Sequence, residues 1–453
     1  MEDLLTLPPN LPSADTIGSY TAYVSMTANF LLLFCAIWAI ALGSIVVGKR
    51  RLLWSTWRES YCNGNVIAVE SDDWGPGPAW HSGRIDATSA TLSSLRDSRG
   101  RRAIMTANLI LATPDVEAMR TNVETGYRRL GIDESSPEVV ASLNEAVRAG
   151  TFAVQLHGLE HCYGPGYAKC LANKDARLSH AWNNADCFEW ESLDSALQAH
   201  FVDASQLPSI AVEEDEQREQ VTIAVEMLER IFGVKSRSAV APCYLWNDIT
   251  EQVWKESGVE YIQTAGYRCS GRGGDGAYIQ DISQIPPGAT NRRGQTYLVR
   301  TLMYEPKDGR GVETCLKEAR RARLQRLPLV ISTHRYNYTD TSDNARESLA
   351  GLNKVLQTIL EWSPRNYFVS SEELGDWICT TRQRPCRTRG QEPEPLMGFS
   401  KVHAYLARLW FRHAKLRLIS LASLLVVPGF LLYVVSRGSY IETDPQRNTP
   451  ITS

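Results

Sequence analysis

A chain of 453 residues with 43% apolar and 22% charged side chains is long enough to bury a large core, which excludes global disorder. A formal net charge of -3 leaves no basic surplus for neutralising phosphates, so no nucleic-acid partner is expected. Ten cysteines are too sparse for a disulfide-built scaffold, and no C-x-x-C pair marks a structural zinc site.

After an N-terminal tail (1–29), Phe30 to Gly48 forms an uncharged apolar run close to the ~20 residues that cross a bilayer core. Acidic residues precede it and Lys49, Arg50 and Arg51 follow, the reverse of a cleavable signal peptide, so a transmembrane helix over 30–48 is predicted. Between about Asn63 and Cys379, short β-branched runs alternate with longer helical patterns, as in an α/β domain of parallel strands. The predicted strands are NVIAVE, AIMTAN, FAVQLH, SAVAP, EYIQT, YLVRTL and PLVISTH, and helical spacing marks Glu213 to Phe232 and Ala345 to Trp362. A charged, proline-containing linker (381–400) precedes a second apolar run, Leu418 to Val435, which is flanked by Arg408, Arg412, Lys415 and Arg417 and followed by a C-terminal tail (436–453). The basic flanks of both runs face the central segment, so two membrane spans with the central domain on the cytoplasmic side are expected. Asn337-Tyr338-Thr339 points the other way, since a glycosylation sequon matters only on a lumenal face. Cys162, Cys170 and Cys187 share one segment and would pair in an oxidising compartment; buried thiols are the expectation for an intracellular domain.

Polar groups gather where the predicted strands end, the open edge of a parallel sheet. The first strand leaves through Asp72-Asp73-Trp74-Gly75; neighbouring side chains on an extended segment point apart, so one acid is able to bind a cation while the other takes a proton. The third ends in His157-Gly158-Leu159-Glu160-His161, whose imidazoles, four residues apart, are expected on one face of a helical turn. The last ends in Ser332-Thr333-His334, with His334 placed to act as a general acid. Ala241-Pro242-Cys243-Tyr244-Leu245-Trp246-Asn247-Asp248 suits a sugar-binding rim, or else a helix start capped by Asn247 or Asp248.

In their order these motifs resemble the polysaccharide deacetylase family, carbohydrate esterase family 4, over roughly residues 63–379, and ESDDWG, HGLEH, STHRYNY and SSEELGDW look closest to a bacterial branch of it. The resemblance implies a distorted (β/α) barrel in which Asp72 is the base, Asp73, His157 and His161 hold a divalent metal, with zinc expected, and His334 is the acid. It also implies a glycan substrate or lipid-linked glycan precursor, with Asn108, Tyr244, Trp246, Asn247, Arg335 and Asn337 near substrate or oxyanion and the Tyr244 backbone N–H as oxyanion donor. Two parts of the pattern are missing. The third motif lacks the arginine that orients the base, for which Arg237 or Arg335 would stand in, and no Asp-plus-Trp fourth motif occurs near Tyr261 to Arg268.

The expected activity is therefore metal-assisted removal of acetyl groups, N- or O-linked, by a membrane-anchored hydrolase. HGLEH also fits the H-x-x-E-H pattern of a zinc metalloprotease, with Glu226 or Glu229 as third ligand. The missing third-motif arginine motivates an alternative, a catalytically weakened glycan-binding protein.

Overall fold

The computed structural model describes residues 14–121, 126–178, 193–340, 343–383, 396, 398–422, 430–431 and 434. The chain divides into two compact units, one spanning 59–396 and the other combining 1–58 with 397–453.

The larger unit is an α/β domain on a nine-stranded parallel sheet: β1 (Asn65–Trp74), β2 (Met105–Ile110), β3 (Phe152–Gly158), β4 (Ser238–Ala239), β5 (Tyr261–Thr264), β6 (Thr296–Val299), β7 (Leu302–Met303), β8 (Leu329–His334) and β9 (Asn366–Phe368). The order is β6-β5-β4-β3-β2-β1-β8-β7, with β9 bonded to the start of β1. The predicted strand YLVRTL is thus two strands. Its first half pairs with β5 and its second with β8, so the segment 296–303 brings the two ends of the curved sheet together, as a (β/α) barrel requires. Arg300 and Thr301 lie at the switch, where the Arg300 N–H donates to Thr264 and the Thr301 N–H to Val330.

Two-residue periodicity sorts β1 between two environments. Ile67 and Val69 join the core under the covering helices, whereas Val66 and Ala68 pack with Leu298, Val330, Leu374, Trp377 and Ile378 at the N-terminal end of the sheet. One turn further along, the same face carries Glu70 and Asp72, so this inner face changes from apolar to polar towards the strand ends.

The covering helices include α2 (His81–Ser94), α3 (Pro137–Arg148), α4 (Glu214–Phe232), α5 (Asp248–Glu256), α6 (Val312–Leu324), α7 (Asp343–Glu361) and α8 (Ser371–Gln383). α4 opens on Glu214, Asp215 and Glu216, which suit the positive end of the helix dipole, and ends where Gly233 takes φ +68°. On α7, Leu352, Val355, Leu356 and Ile359 are fully buried, each contributing about 1.5–3 kcal/mol of burial.

In the smaller unit α1 (Ala14–Trp57) contains the one helix among the described residues long and apolar enough to cross a membrane, Ser25–Trp57, with mean hydropathy 2.7; a signal sequence has the same character. Its backbone departs from helical geometry at Lys49, where the apolar run ends. The Trp57 ring packs edge-on to Tyr405 of α9 (Gly398–Arg412). The second expected span lies outside the described residues except at 418–422, 430–431 and 434.

Candidate metal centre

The backbone parts the two adjacent acids at the end of β1. The register with β2 shifts between Ser71 and Trp74, and within that bulge Asp73 adopts φ +67°, a left-handed conformation that short polar side chains tolerate. Asp72 stays on the inner face; Asp73 swings towards β3. Gly75 follows at φ +151°, where a Cβ would stand 2.3 Å from the carbonyl oxygen of Ile110, so only glycine lets the chain leave the sheet this way.

Asp73 Oδ1 lies 3.0 Å from His157 Nε2 and 3.1 Å from His161 Nε2. One ligand atom from each of the three residues fits within 4.8 Å, and all three side chains are buried. His157 turns Nδ1 to the carbonyl of Val240 at 2.9 Å, which leaves Nε2 as the nitrogen facing Asp73, the orientation found where a histidine ligates a metal. Burial opposes ionisation of Asp73, but His161 and His157 outweigh it and hold the carboxyl well below its usual range. One carboxylate and two convergent imidazoles are a donor set that fits a divalent cation. The imidazole pair does not sit on a helical turn as expected: His157 closes β3 and His161 lies in the loop after it. Their convergence comes from the chain path beyond the strand, not from helical spacing.

Asp72 is gripped by Arg300. Nη1 and Nη2 donate to Asp72 Oδ2 and Oδ1 at 2.6 Å each, and Asn108 Nδ2 adds 2.8 Å to Oδ1. Burial raises the Asp72 carboxyl, yet the guanidinium overrides it and holds the group at about 2. The arginine that meets Asp72 therefore comes from the seam between β6 and β7 and not from the Ala241–Asp248 loop. Neither expected stand-in reaches Asp72: Arg237 pairs with Asp376 and Glu260 at the surface, and Arg335 donates to the carbonyl of Pro76.

His334 sits in register with Asp72 across β1 and β8, with Nε2 3.9 Å from Asp72 Oδ2. Nδ1 is held by Glu305 Oε1 at 2.7 Å, and Glu305 Oε2 accepts from Asn337 at 2.6 Å and Tyr336 at 3.1 Å. Burial pushes the imidazole down, but Glu305 more than reverses this and lifts it to about 10. The side chain keeps 31% exposure while Asp72 keeps 4%, so the imidazole is the accessible partner.

Other expected contacts fall elsewhere. The Tyr244 N–H donates to Ala241 in a tight turn, so it is spent as an oxyanion donor; the Tyr244 hydroxyl accepts from Arg300 at 2.8 Å. Cys243 and Tyr244 take φ +54° and +55°, a strained pair beside the site. Trp246 is buried in the core with its indole N–H on Glu251, and Asn247 caps α5 by accepting from Thr250 N, the helix-start alternative of its loop. Arg335 and Asn337 are buried, the latter bracing Glu305 and not lining a rim. Its burial also removes the sequon as a sign of a lumenal face, because a glycosylation acceptor must be exposed. Glu160 points to Tyr127 and Arg129 instead of serving as a base between the histidines, and Glu226 and Glu229 lie on α4, so the metalloprotease geometry is absent. The described cysteines are free thiols; Cys187 lies outside the described residues.

Sequence reasoning missed Arg300, Glu305 and Gln263, whose Oε1 accepts from Asn108 at 2.8 Å and from Arg300 at 3.2 Å. Each left one signal: a charge or amide inside or just after an apolar strand, as in YLVRTL and EYIQT, where only a polar partner makes burial tolerable.

The profile of the family described as Glycosyl hydrolase family 57 matches residues 134–283. No curated protein matches the chain. Among solved structures, the chain is similar to a carbohydrate esterase family 4 pseudoenzyme from Bacillus anthracis (10% identity, 70% of this chain and 67% of that one, TM-score 0.33). It is similar to a polysaccharide deacetylase-type protein from Mycobacterium smegmatis (12%, 73% and 96%, TM-score 0.36) and to a 4-alpha-glucanotransferase from Thermococcus litoralis (10%, 68% and 40%, TM-score 0.36).

Proposed function

We propose that the chain is a membrane-anchored, metal-dependent hydrolase that removes acetyl groups from a glycan or lipid-linked glycan precursor. The observation that carries this reading is the convergence of Asp73, His157 and His161 beside a base and an acid on neighbouring strand ends. Asp73, His157 and His161 would hold a divalent cation, for which we propose zinc, and when bound it would supply Lewis-acid polarisation of the acyl group and acidification of water. Asp72, fixed by Arg300 and Asn108, takes the proton of the attacking water on a carboxylate oxygen. His334, protonated through neutral pH by Glu305, delivers its Nε2 proton to the departing amine or alcohol. The match to a glycoside hydrolase profile supports a carbohydrate substrate, and the apolar helix of α1 supports the anchor. A central domain on the cytoplasmic side, with a second span at 418–435, follows from the basic flanks of both runs.

Elemental analysis of the full-length protein beside Asp73→Ala and His157→Ala tests the centre. One equivalent of divalent metal, lost in both variants, is expected; a metal-free chain after reconstitution sinks the hydrolase and leaves a glycan-binding protein. Incubation with an acetylated chitooligosaccharide then separates the chemistries: acetate marks the deacetylase, new reducing ends a glycosidase.

A further inference from the structure

We propose that Glu70 is a positioning residue that clamps Arg300 so that the guanidinium presents its two-nitrogen edge to Asp72. The inference rests on the reading of Asp72 as the base and adds a group which that reading leaves unused. Glu70 is fully buried, two residues before Asp72 on the inner face of β1. Arg300 Nε donates to Glu70 Oε2 at 2.9 Å. The other oxygen accepts from Ser371 Oγ at 2.8 Å, and the Ser371 backbone N–H donates to Thr106 Oγ1 at 2.9 Å. Glu70 is thereby braced by the first residue of α8 and by β2.

The consequence for Arg300 follows from its shape. A guanidinium is planar with five N–H donors in a fixed fork, but it hangs on a stem with freely rotating bonds. Pinning Nε fixes the plane; Nη1 and Nη2 then meet the two oxygens of Asp72, and their outer hydrogens meet the Tyr244 hydroxyl at 2.8 Å and Gln263 Oε1 at 3.2 Å. Without the clamp the fork is free to turn and offer Asp72 its Nε edge, which rotates the carboxylate relative to the water it must deprotonate. A second buried carboxylate beside Asp72 is electrostatically unfavourable, and an apolar side chain would fill the space at less desolvation cost. The acid has a use there if orientation of Arg300 is what the site requires.

The test uses the zinc-loaded full-length chain in detergent with 4-nitrophenyl acetate as probe. Glu70→Leu should lower kcat about tenfold or more with KM and metal content unchanged, the signature of a misaligned base. Glu70→Gln keeps the acceptor and the reach, and should recover most of that loss; Glu70→Asp keeps the charge but falls a methylene short, and should not. A Glu70→Leu chain with wild-type kcat overturns the proposal. Where the leucine variant fails to fold, the other two decide, since aspartate equal to or better than glutamine means that charge and not orientation matters. If the wild type binds metal but hydrolyses nothing, the hydrolase reading fails, and a crystal structure of Glu70→Asp decides the clamp: a fork turned off Asp72 supports it, both bonds retained overturn it.

Discussion

Asp72 and Asp73 are neighbours in sequence, yet one bulge turns them to different partners, Arg300 for the first and two histidines for the second, so the proposed function gives them separate tasks. Their separation makes Asp72→Asn the sharpest single substitution: metal content should stay at wild type while turnover falls about 10²–10⁴-fold, measured as acetate release. An active variant would remove Asp72 from the chemistry. The acid has its own signature. Glu305 raises His334 above its ordinary value of 6.5 to about 10, so the proton is present through neutral pH and leaves only as pH rises through that value. The alkaline limb of kcat should therefore lie above neutral pH in the wild type and move to lower pH in Glu305→Gln. The same sign applies to stability: the His334–Glu305 contribution is complete below about pH 6.5 and is lost as pH climbs through about 10.

At the scale of elements, the segment 296–303 does the most with the least chain. It closes the curved sheet by changing partners from β5 to β8, and the break in pairing is where Arg300 turns inward. The opposite end of the sheet is stoppered by α8, which lays Gly375 flat on the Tyr261 ring; a Cβ there would stand 2.6 Å from three ring atoms. Gly375→Ala should therefore destabilise the domain by about 1–3 kcal/mol through overpacking, despite the better helix propensity of alanine, read as a lower urea midpoint. A variant as stable as wild type would mean that α8 lifts away easily. The long elements were legible beforehand: α4 and α7 follow from apolar spacing and fall within two residues of the predicted ranges. β9 was not, because three residues carry no periodicity of their own and pair only through contact with the start of β1.

For the whole molecule, two units of different surface character share one chain: α1 exposes Leu31, Leu32 and Leu33 along an apolar helix, while the 59–396 unit buries its apolar residues under helices. If 418–435 is a second span, deleting 1–58 should leave the protein in the membrane pellet after alkaline carbonate extraction. Release into the supernatant would reduce the anchor to one helix. The proposed metal ligands Asp73, His157 and His161, and the proposed base and acid Asp72 and His334, all belong to the 59–396 unit.

The sequence by itself determined the α/β alternation, the apolar helix near the N-terminus and the strand ends bearing Asp72, Asp73, His157, His161 and His334, because each is written in a short window of adjacent residues. Only the tertiary structure decided which groups stand behind them. Arg300 lies 228 residues from Asp72 and Glu305 29 from His334. Such pairings depend on which strands become neighbours when the sheet curves, and no local pattern of hydrophobicity or charge encodes that choice. The same holds for the negatives: Trp246 and Asn247 read as part of a sugar-binding rim and Asn337 as a substrate or oxyanion contact, but packing sent the first into the core, the second to a helix cap and the third to Glu305 beside His334.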